Sequence, residues 1–171
     1  MIPPIDFNKW IDDNAHLLKP PVANKVIFED AENLFVMVVG GPNKRTDYHV
    51  DPYEELFYQV RGNMHINIMT PDGPDTVHIR EGQMWLLPPN VPHSPQRPEE
   101  GSVGFLVERV RPEGVLESFR WYCQDCHAVV HEVELQVRDI VNDLPPVFER
   151  FYADDKARTC GNCGAYHPGK G

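Results

Sequence analysis

The 171-residue chain has no apolar run long enough to cross a membrane as a helix. Its N-terminus lacks a basic stretch followed by an apolar one, so we expect no secretory signal. Basic residues are scarce: 16 lysines and arginines stand against 26 aspartates and glutamates, for a formal net charge of −10. Such a surface is a poor match for the phosphate backbone of a nucleic acid. The sequence therefore predicts a cytoplasmic protein that binds neither membrane nor nucleic acid.

Four cysteines lie in the last third of the chain, and all are in C-x-x-C pairs. They are Cys123, Cys126, Cys160 and Cys163. In a reducing cytoplasm such pairs hold metal more often than they form disulfides. Four thiolates complete a tetrahedron and leave no open position, so we predict a structural Fe or Zn site. Gly164 suits the turn after the second pair, whereas His127 holds the equivalent place after the first, where we expect a less regular turn.

Short β-rich runs separated by Gly, Pro and Asn turns make up most of the chain. They cover residues of about 25–29, 33–39, 45–50, 54–61, 64–69, 76–80, 83–87, 103–110 and 128–140. Two short helices are predicted, over 6–18 and over 145–157, the second opened by Pro145 and Pro146. Many short strands at regular spacing favour an all-β sandwich or barrel.

Two segments supply histidine and carboxylate side chains at metal-ligand spacing. The first runs from His49 through Glu55 to Gly62, and the second from Gly82 to His93 and beyond. Two neutral imidazoles and one carboxylate bind a divalent metal on one face and leave the other positions open for substrate and oxygen.

Strand alternation helps to choose between Glu54 and Glu55 as the carboxylate ligand. Along the predicted strand, Glu55 shares a face with Phe57 and Gln59, whereas Glu54 shares the other with leucine, tyrosine and valine. A barrel interior that mixes polar ligands with aromatics would look like the first set. The preceding turn at Asp51 can reset this parity, so alternation favours Glu55 without settling the choice.

These segments resemble the two cupin motifs, H-x-H-x3-E-x6-G and G-x5-P-x-G-x2-H-x3-N. Asp51 replaces the second histidine, Asn90 the glycine and Arg97 the final asparagine. The resemblance implies a double-stranded β-helix, the jelly-roll barrel, with a small C-terminal extension that holds the four cysteines. It also implies a metal site with three ligands, namely His49, Glu55 and His93.

Nearly the whole chain is similar to the bacterial 3-hydroxyanthranilate 3,4-dioxygenases. The most specific stretches include Gly40-Gly41-Pro42-Asn43, the residues from Arg45 to His49, and those from His93 to Pro98. The resemblance implies that Fe(II) is the catalytic metal and that 3-hydroxyanthranilate and O2 are the substrates. The product would be 2-amino-3-carboxymuconate semialdehyde, a precursor of quinolinate in NAD biosynthesis or tryptophan degradation. A second Fe, or Zn, would occupy the rubredoxin-like site formed by the four cysteines.

The same resemblance implies four catalytic or substrate-binding side chains. Arg97 would bind the substrate carboxylate in a bidentate contact. Arg45 would stabilise reduced oxygen or share that carboxylate. Glu108 would contact substrate and accept a proton, and Glu55 would border the substrate as well as bind the metal.

The sequence leaves alternative functions open and also predicts the bounds of two domains. A metal-dependent cupin isomerase and a non-catalytic small-anion-binding cupin also fit the motifs, and the cysteines could form a zinc ribbon. We expect a barrel over residues 1–115, an extension over 116–171 and, as a possible assembly, a homodimer. The segment of residues 19–26, with Val22 and Asn24, either closes over substrate or is a surface connector.

Overall fold

A computed structural model describes residues 3–19, 23–138 and 140–170, without the side chains of residues 140 and 141. Its elements are α1 (Phe7–Asp13), β1 (Asn24–Val26), β2 (Leu34–Gly40), β3 (Asp47–Val50), β4 (Glu55–Arg61), β5 (Met64–Thr70), β6 (Gly73–Ile79), β7 (Met84–Leu87), β8 (His93–Gln96), β9 (Val103–Arg109), β10 (Glu117–Tyr122), β11 (Val129–Leu135) and α2 (Ile140–Ala153). Among these residues no helix is long and apolar enough to span a membrane.

The strands form two antiparallel sheets that face each other. One has the order β1-β2-β9-β4-β7 and the other β11-β10-β3-β8-β5-β6. Their inner faces bury one shared core, to which the first sheet contributes Met37 and Phe57 and the second Ile66 and Ile79. Burial of each such side chain contributes about 1.5–3 kcal/mol. The predicted all-β class and jelly-roll barrel are confirmed.

The alternation predicted along β4 is also present. Glu55, Phe57 and Gln59 are buried at 2%, 1% and 0% exposure. Their neighbours Leu56 and Tyr58 are half-buried on the opposite face, and Glu54 is exposed just before the strand. The period of two therefore survives the turn that precedes β4, and Glu55 is the glutamate that points into the barrel.

Two strands were missing from the sequence prediction, β8 and β10. β8 holds Pro95, which cannot donate a backbone hydrogen bond and so hides a strand from pattern analysis. The second missing strand, β10, pairs with β3 on one side and with β11 on the other. Both missing strands flank β3 in the finished sheet, and β3 carries His49.

The predicted helix boundaries were wrong at both ends of the chain. α1 begins after its predicted cap, Asp6, but ends at Asp13, because the side chain of Asn14 donates to the carbonyl of Trp10 and closes the last turn. α2 runs from Ile140 to Ala153 instead of from 145 to 157, with both prolines inside it. Packing of its aromatic face against β10 outweighs the proline signal.

The proposed division into residues 1–115 and 116–171 stays a prediction. The second segment nevertheless continues the barrel, because β10 pairs with β3 over four positions from Asp47 to Val50. The cysteine pairs follow β10 and α2, so the four-cysteine unit is attached at the end of a barrel strand.

Candidate active site

Three strands bring two histidines and a glutamate together inside the barrel. His49 on β3 and His93 on β8 are register partners across the sheet. Glu55 reaches them from β4 of the opposite sheet. Its Oε1 atom lies 3.0 Å from Nε2 of His93 and 3.5 Å from Nδ1 of His49. One nitrogen or oxygen atom from each residue lies within 4.8 Å of the others, which is a spacing that could hold a metal ion.

The outward nitrogens of both imidazoles are held by hydrogen bonds. Nδ1 of His93 donates to the carbonyl of Val91 at 3.0 Å. Nε2 of His49 donates to the carboxylate of Glu117 at 2.6 Å. Metal-binding histidines are usually oriented in this way, because the outer hydrogen bond fixes the tautomer and leaves the inner nitrogen as a ligand.

The carboxylate of Glu55 is held in its ionised form, as a metal ligand requires. Burial raises the pKa of Glu55, but His93 and His49 outweigh it and keep the pKa well below its usual range. Oε1 of Glu55 is buried and has no hydrogen-bond donor among the described residues, although Nε2 of His93 is 3.0 Å away. An acceptor oxygen that faces an imidazole lone pair is the arrangement that a shared metal ion satisfies.

These residues open onto a cavity of about 650 Å³ between the sheets. The predicted side chains Arg45, Arg97 and Glu108 line the same cavity. Apolar walls come from the barrel strands, and α2 covers one side. The cavity-lining side chains from α2 are Leu144, Pro145, Phe148, Glu149 and Tyr152. A mostly apolar cavity with a few converging polar groups is typical of a small-molecule site.

The guanidinium of Arg97 is buried in this cavity without a carboxylate partner in the described part of the chain. The residue is 2% exposed, and its Nε atom has no hydrogen-bond partner there. Burial, together with nearby Arg45, lowers its pKa to about 10, which still leaves it charged at neutral pH. It packs on Gly104, where an added Cβ would lie 2.6 Å from Nη2. A buried, unpaired cation beside an open cavity is suited to an anionic ligand.

Arg45 and Glu108 differ from Arg97 in already having partners. Arg45 forms an ion pair with Asp47. Glu108 pairs with Arg111 and lies opposite Glu55 in the register of β9 and β4. Burial and the carboxylate of Glu55 raise the pKa of Glu108 to about 7, while Arg111 opposes the rise. A carboxylate with this pKa can exchange a proton at neutral pH.

Three buried residues near the site were not identified from the sequence, Asp51, Arg111 and Glu117. In the sequence, Asp51 stands out only as a departure from the cupin motif. Glu117 belongs to the missing strand β10, and Arg111 follows β9. Arg111 forms ion pairs with the other two and with Glu108. No local pattern signals this cluster, because Asp51 is 60 residues from Arg111.

The proposed closing segment is described only in part. Residues 20 to 22, including Val22, lie outside the described residues. Ala23 and Asn24 line the cavity. The choice between a closing loop and a connector therefore stays open.

The four cysteines form a second cluster of potential metal ligands. Sγ of Cys123 lies 3.6 Å from that of Cys163, and Cys126 and Cys160 are separated by the same distance. A disulfide is about 2.05 Å long, whereas a tetrahedral ion with bonds of about 2.3 Å separates its sulfurs by roughly 3.8 Å. The cluster has the dimensions of a tetrahedral thiolate site.

The two cysteine turns are equivalent, contrary to the expectation of a less regular first turn. The amide of His127 donates to the carbonyl of Cys123 at 3.0 Å, and that of Gly164 to Cys160 at 2.9 Å. The backbone adopts φ of 60° at His127 and 78° at Gly164. The first turn therefore keeps its shape by holding a histidine in the left-handed region.

Fold and site together define a cupin with a two-histidine, one-carboxylate centre. The family model described as 3-hydroxyanthranilic acid dioxygenase matches residues 1–152. The chain belongs to this family, as the resemblance implied. A cupin-2 domain containing protein from Shewanella frigidimarina has a solved structure with 19% identity and a TM-score of 0.48, covering 61% of this chain and 93% of that one.

Curated relatives match over nearly the whole length and are named 3-hydroxyanthranilate 3,4-dioxygenase. The protein of Jannaschia sp. strain CCS1 is 56% identical over 165 residues, which cover 96% of this chain and 91% of that protein. That of Burkholderia lata is 54% identical over 167 residues, which cover 98% and 95%. That of Ruegeria pomeroyi is 56% identical, with coverage of 96% and 91%.

Single replacement by alanine of His49, Glu55 or His93 is expected to remove most metal from the barrel site. The loss of affinity should exceed the 10- to 100-fold that removal of an outer partner typically costs, because three ligands leave no redundancy. Metal analysis of the purified variants measures it. Glu54→Ala is the matched control, since Glu54 precedes β4 and does not line the cavity. Metal loss in Glu54→Ala but not in Glu55→Ala would contradict the assignment.

His127→Gly is expected to stabilise the metal-loaded protein by up to about 1 kcal/mol. The left-handed conformation costs a residue with a side chain about 1–2 kcal/mol. Glycine avoids this cost, but its greater flexibility in the unfolded chain cancels about half of the gain in stability. Denaturant titration gives the free energy of unfolding. Gly164→Ala is the reciprocal variant and should destabilise by a similar amount, since its Cβ would meet no atom within 4 Å and adds strain alone. Equal stability of all three proteins would refute the strain argument.

Proposed function

We propose that this protein is a ring-cleaving dioxygenase that opens 3-hydroxyanthranilate with O2 to give 2-amino-3-carboxymuconate semialdehyde. Its family and the names of its relatives support the reaction. One structural observation carries the proposal: the buried guanidinium of Arg97, which has no carboxylate partner in the described part of the chain, shares a cavity with His49, Glu55 and His93. The substrate carries its carboxylate, amine and hydroxyl on three consecutive ring carbons. Its carboxylate can therefore meet Arg97 while its amine and hydroxyl face the metal-ligand residues.

Arg97 is the proposed carboxylate-binding residue. A guanidinium presents two parallel N–H donors that match the two oxygens of a carboxylate. The apolar walls of the cavity exclude water, which strengthens this charged contact. Binding at Arg97 would fix the ring in one orientation and direct its amine and hydroxyl toward the metal-ligand residues.

Fe(II) is the proposed metal at the barrel site. Two imidazoles and one carboxylate with further positions free suit non-haem Fe(II). When bound, Fe(II) supplies the electronic chemistry that lets O2 react with an aromatic ring. The chain's own residues bind and orient the substrate and exchange protons with it. Glu108 would accept the proton of the substrate hydroxyl, and Arg45 would stabilise negative charge that develops on oxygen or share the carboxylate.

The four-cysteine site is proposed to hold Fe or Zn in a structural role, because four thiolates leave no position for a substrate. The division of the chain near residue 115, the homodimer and the cytoplasmic location also stay proposals. An isomerase or a non-catalytic anion-binding cupin would use the same cavity without consuming O2.

An aerobic assay tests the proposed function directly. Purified protein loaded with Fe(II) and given 3-hydroxyanthranilate should consume one O2 per substrate and develop the absorbance of the ring-opened product. An isomerase would change the substrate without consuming O2, and a binding protein would leave it unchanged. Either result would refute the dioxygenase.

Arg97→Ala is expected to raise the KM for 3-hydroxyanthranilate about 10- to 100-fold, with a smaller effect on kcat. Loss of a charged hydrogen bond costs about 1.5–3 kcal/mol, and a carboxylate contact acts in ground and transition states alike. Gly104→Ala should act in the same direction, because its Cβ would lie 2.6 Å from Nη2 and 3.0 Å from Nε of Arg97. Steady-state kinetics and metal content are measured together.

The exposed Arg80 provides the control for this experiment. Arg80→Ala removes the same charge from the surface and should leave KM unchanged. Both test variants should retain the barrel metal, since neither replaces a proposed ligand. An unchanged KM in Arg97→Ala would disprove the carboxylate contact.

A further inference from the structure

One buried arginine outside the motifs contacts three carboxylates and lines the same cavity as the metal-ligand residues. Arg111 lies in the connection from β9 to β10. Its Nη1 donates to Glu108 and its Nη2 to Asp51, and its Nε is 3.0 Å from Oε1 of Glu117. The last contact is an ion pair without hydrogen-bond geometry. All four side chains are at most 6% exposed.

Two of these carboxylates also contact or face a proposed metal ligand. Glu117 accepts the 2.6 Å hydrogen bond from Nε2 of His49. Glu108 is the register partner of Glu55 and lines the cavity. Arg111 is therefore linked to His49 on one sheet through Glu117, and to the neighbour of Glu55 on the facing sheet through its ion pair with Glu108.

The third carboxylate shapes the link between those sheets. Oδ1 of Asp51 accepts a 2.8 Å hydrogen bond from the amide of Tyr53, which closes the turn between β3 and β4. His49 precedes this turn and Glu55 follows it. Through Asp51, Arg111 thus also stabilises the turn that sets the spatial separation of His49 and Glu55.

We propose that Arg111 is a positioning residue for the metal centre. It holds Glu117, Glu108 and Asp51 in one arrangement, and it thereby keeps His49 and Glu55 at the spacing that a divalent cation requires. The inference rests on the proposed role of those two residues as ligands. A planar guanidinium can serve carboxylates in several directions at once, whereas the single ammonium of lysine cannot.

A purely structural ion-pair cluster would behave differently. Its loss would lower the stability of the fold, because buried carboxylates would be left uncompensated. The protein that still folded would then bind metal as before. The metal affinity of the folded protein therefore separates a positioning role from a structural one.

The test is a Mn(II) titration of protein whose four-cysteine site is filled with Zn(II), with free Mn(II) measured by its EPR signal. Mn(II) favours oxygen and nitrogen ligands, and thiolates favour Zn(II), so the two sites are separated. Arg111→Lys is expected to raise the Kd for Mn(II) about 10- to 100-fold. Glu117→Gln should raise it as well. The double variant should be little worse than the weaker-binding single variant, because both changes interrupt the same contact chain.

Arg120→Lys is the matched control. Arg120 lies on β10 close to Glu117 and forms an ion pair with Glu132 at 2.6 Å, but it does not line the cavity. Its replacement should leave the Kd for Mn(II) unchanged. A folded Arg111→Lys protein with a Kd within about twofold of the wild type would overturn the proposal.

The remaining outcomes also decide the question. If Arg111→Lys fails to fold, the Kd of Glu117→Gln for Mn(II) decides the question. A Kd raised about tenfold supports the positioning role, and an unchanged Kd overturns it. A wild-type protein that binds Mn(II) but, with Fe(II), does not cleave the substrate would refute the proposed dioxygenase and leave this comparison of affinities valid.

Discussion

The burial of charge inside a β-barrel is the constraint on which this structure depends. The inner faces that pack Phe57 and Leu106 also carry Glu55 and Glu108, and Arg111 is buried beside them. A buried charge costs several kcal/mol unless a partner or a metal compensates it. Glu108 and Arg111 compensate each other. Among the described residues, Oε1 of Glu55 accepts no hydrogen bond and the guanidinium of Arg97 has no carboxylate partner. Both line the same cavity, where the first is suited to a cation and the second to an anion.

The sequence predicted the parts of this arrangement that depend on local periodicity and on motif spacing. The period of two along β4 placed Glu55 inside, and the histidine spacing identified His49 and His93. It failed where tertiary packing overrides local signals. The proline in β8 concealed a strand, and α2 extends past two prolines because Phe148 and Phe151 pack on Trp121.

The ion-pair cluster around Arg111 was beyond sequence reasoning for a different reason. Asp51 and Arg111 are 60 residues apart in the chain, and His49 and Glu117 are 68 apart. Such contacts follow from the strand order β10-β3-β8, which no local pattern specifies. The motif departure at Asp51 now has a physical explanation: its carboxylate forms an ion pair with Arg111 at the position where the cupin motif has a histidine.

The C-terminal segment contributes to the cavity that holds the candidate site, and it also carries the four-cysteine cluster. β10 supplies Glu117, which binds His49, and Phe119, whose ring stacks on that imidazole at 4.8 Å. Cys123 follows the same strand directly. At the end of the chain, the carbonyl of Gly169 accepts a hydrogen bond from the Thr46 hydroxyl, next to Arg45. A barrel that ended before β10 would leave His49 without its outer hydrogen bond and without its stacking partner. The strand that leads into the cysteine cluster is thus also the strand that orients a proposed ligand of the catalytic metal.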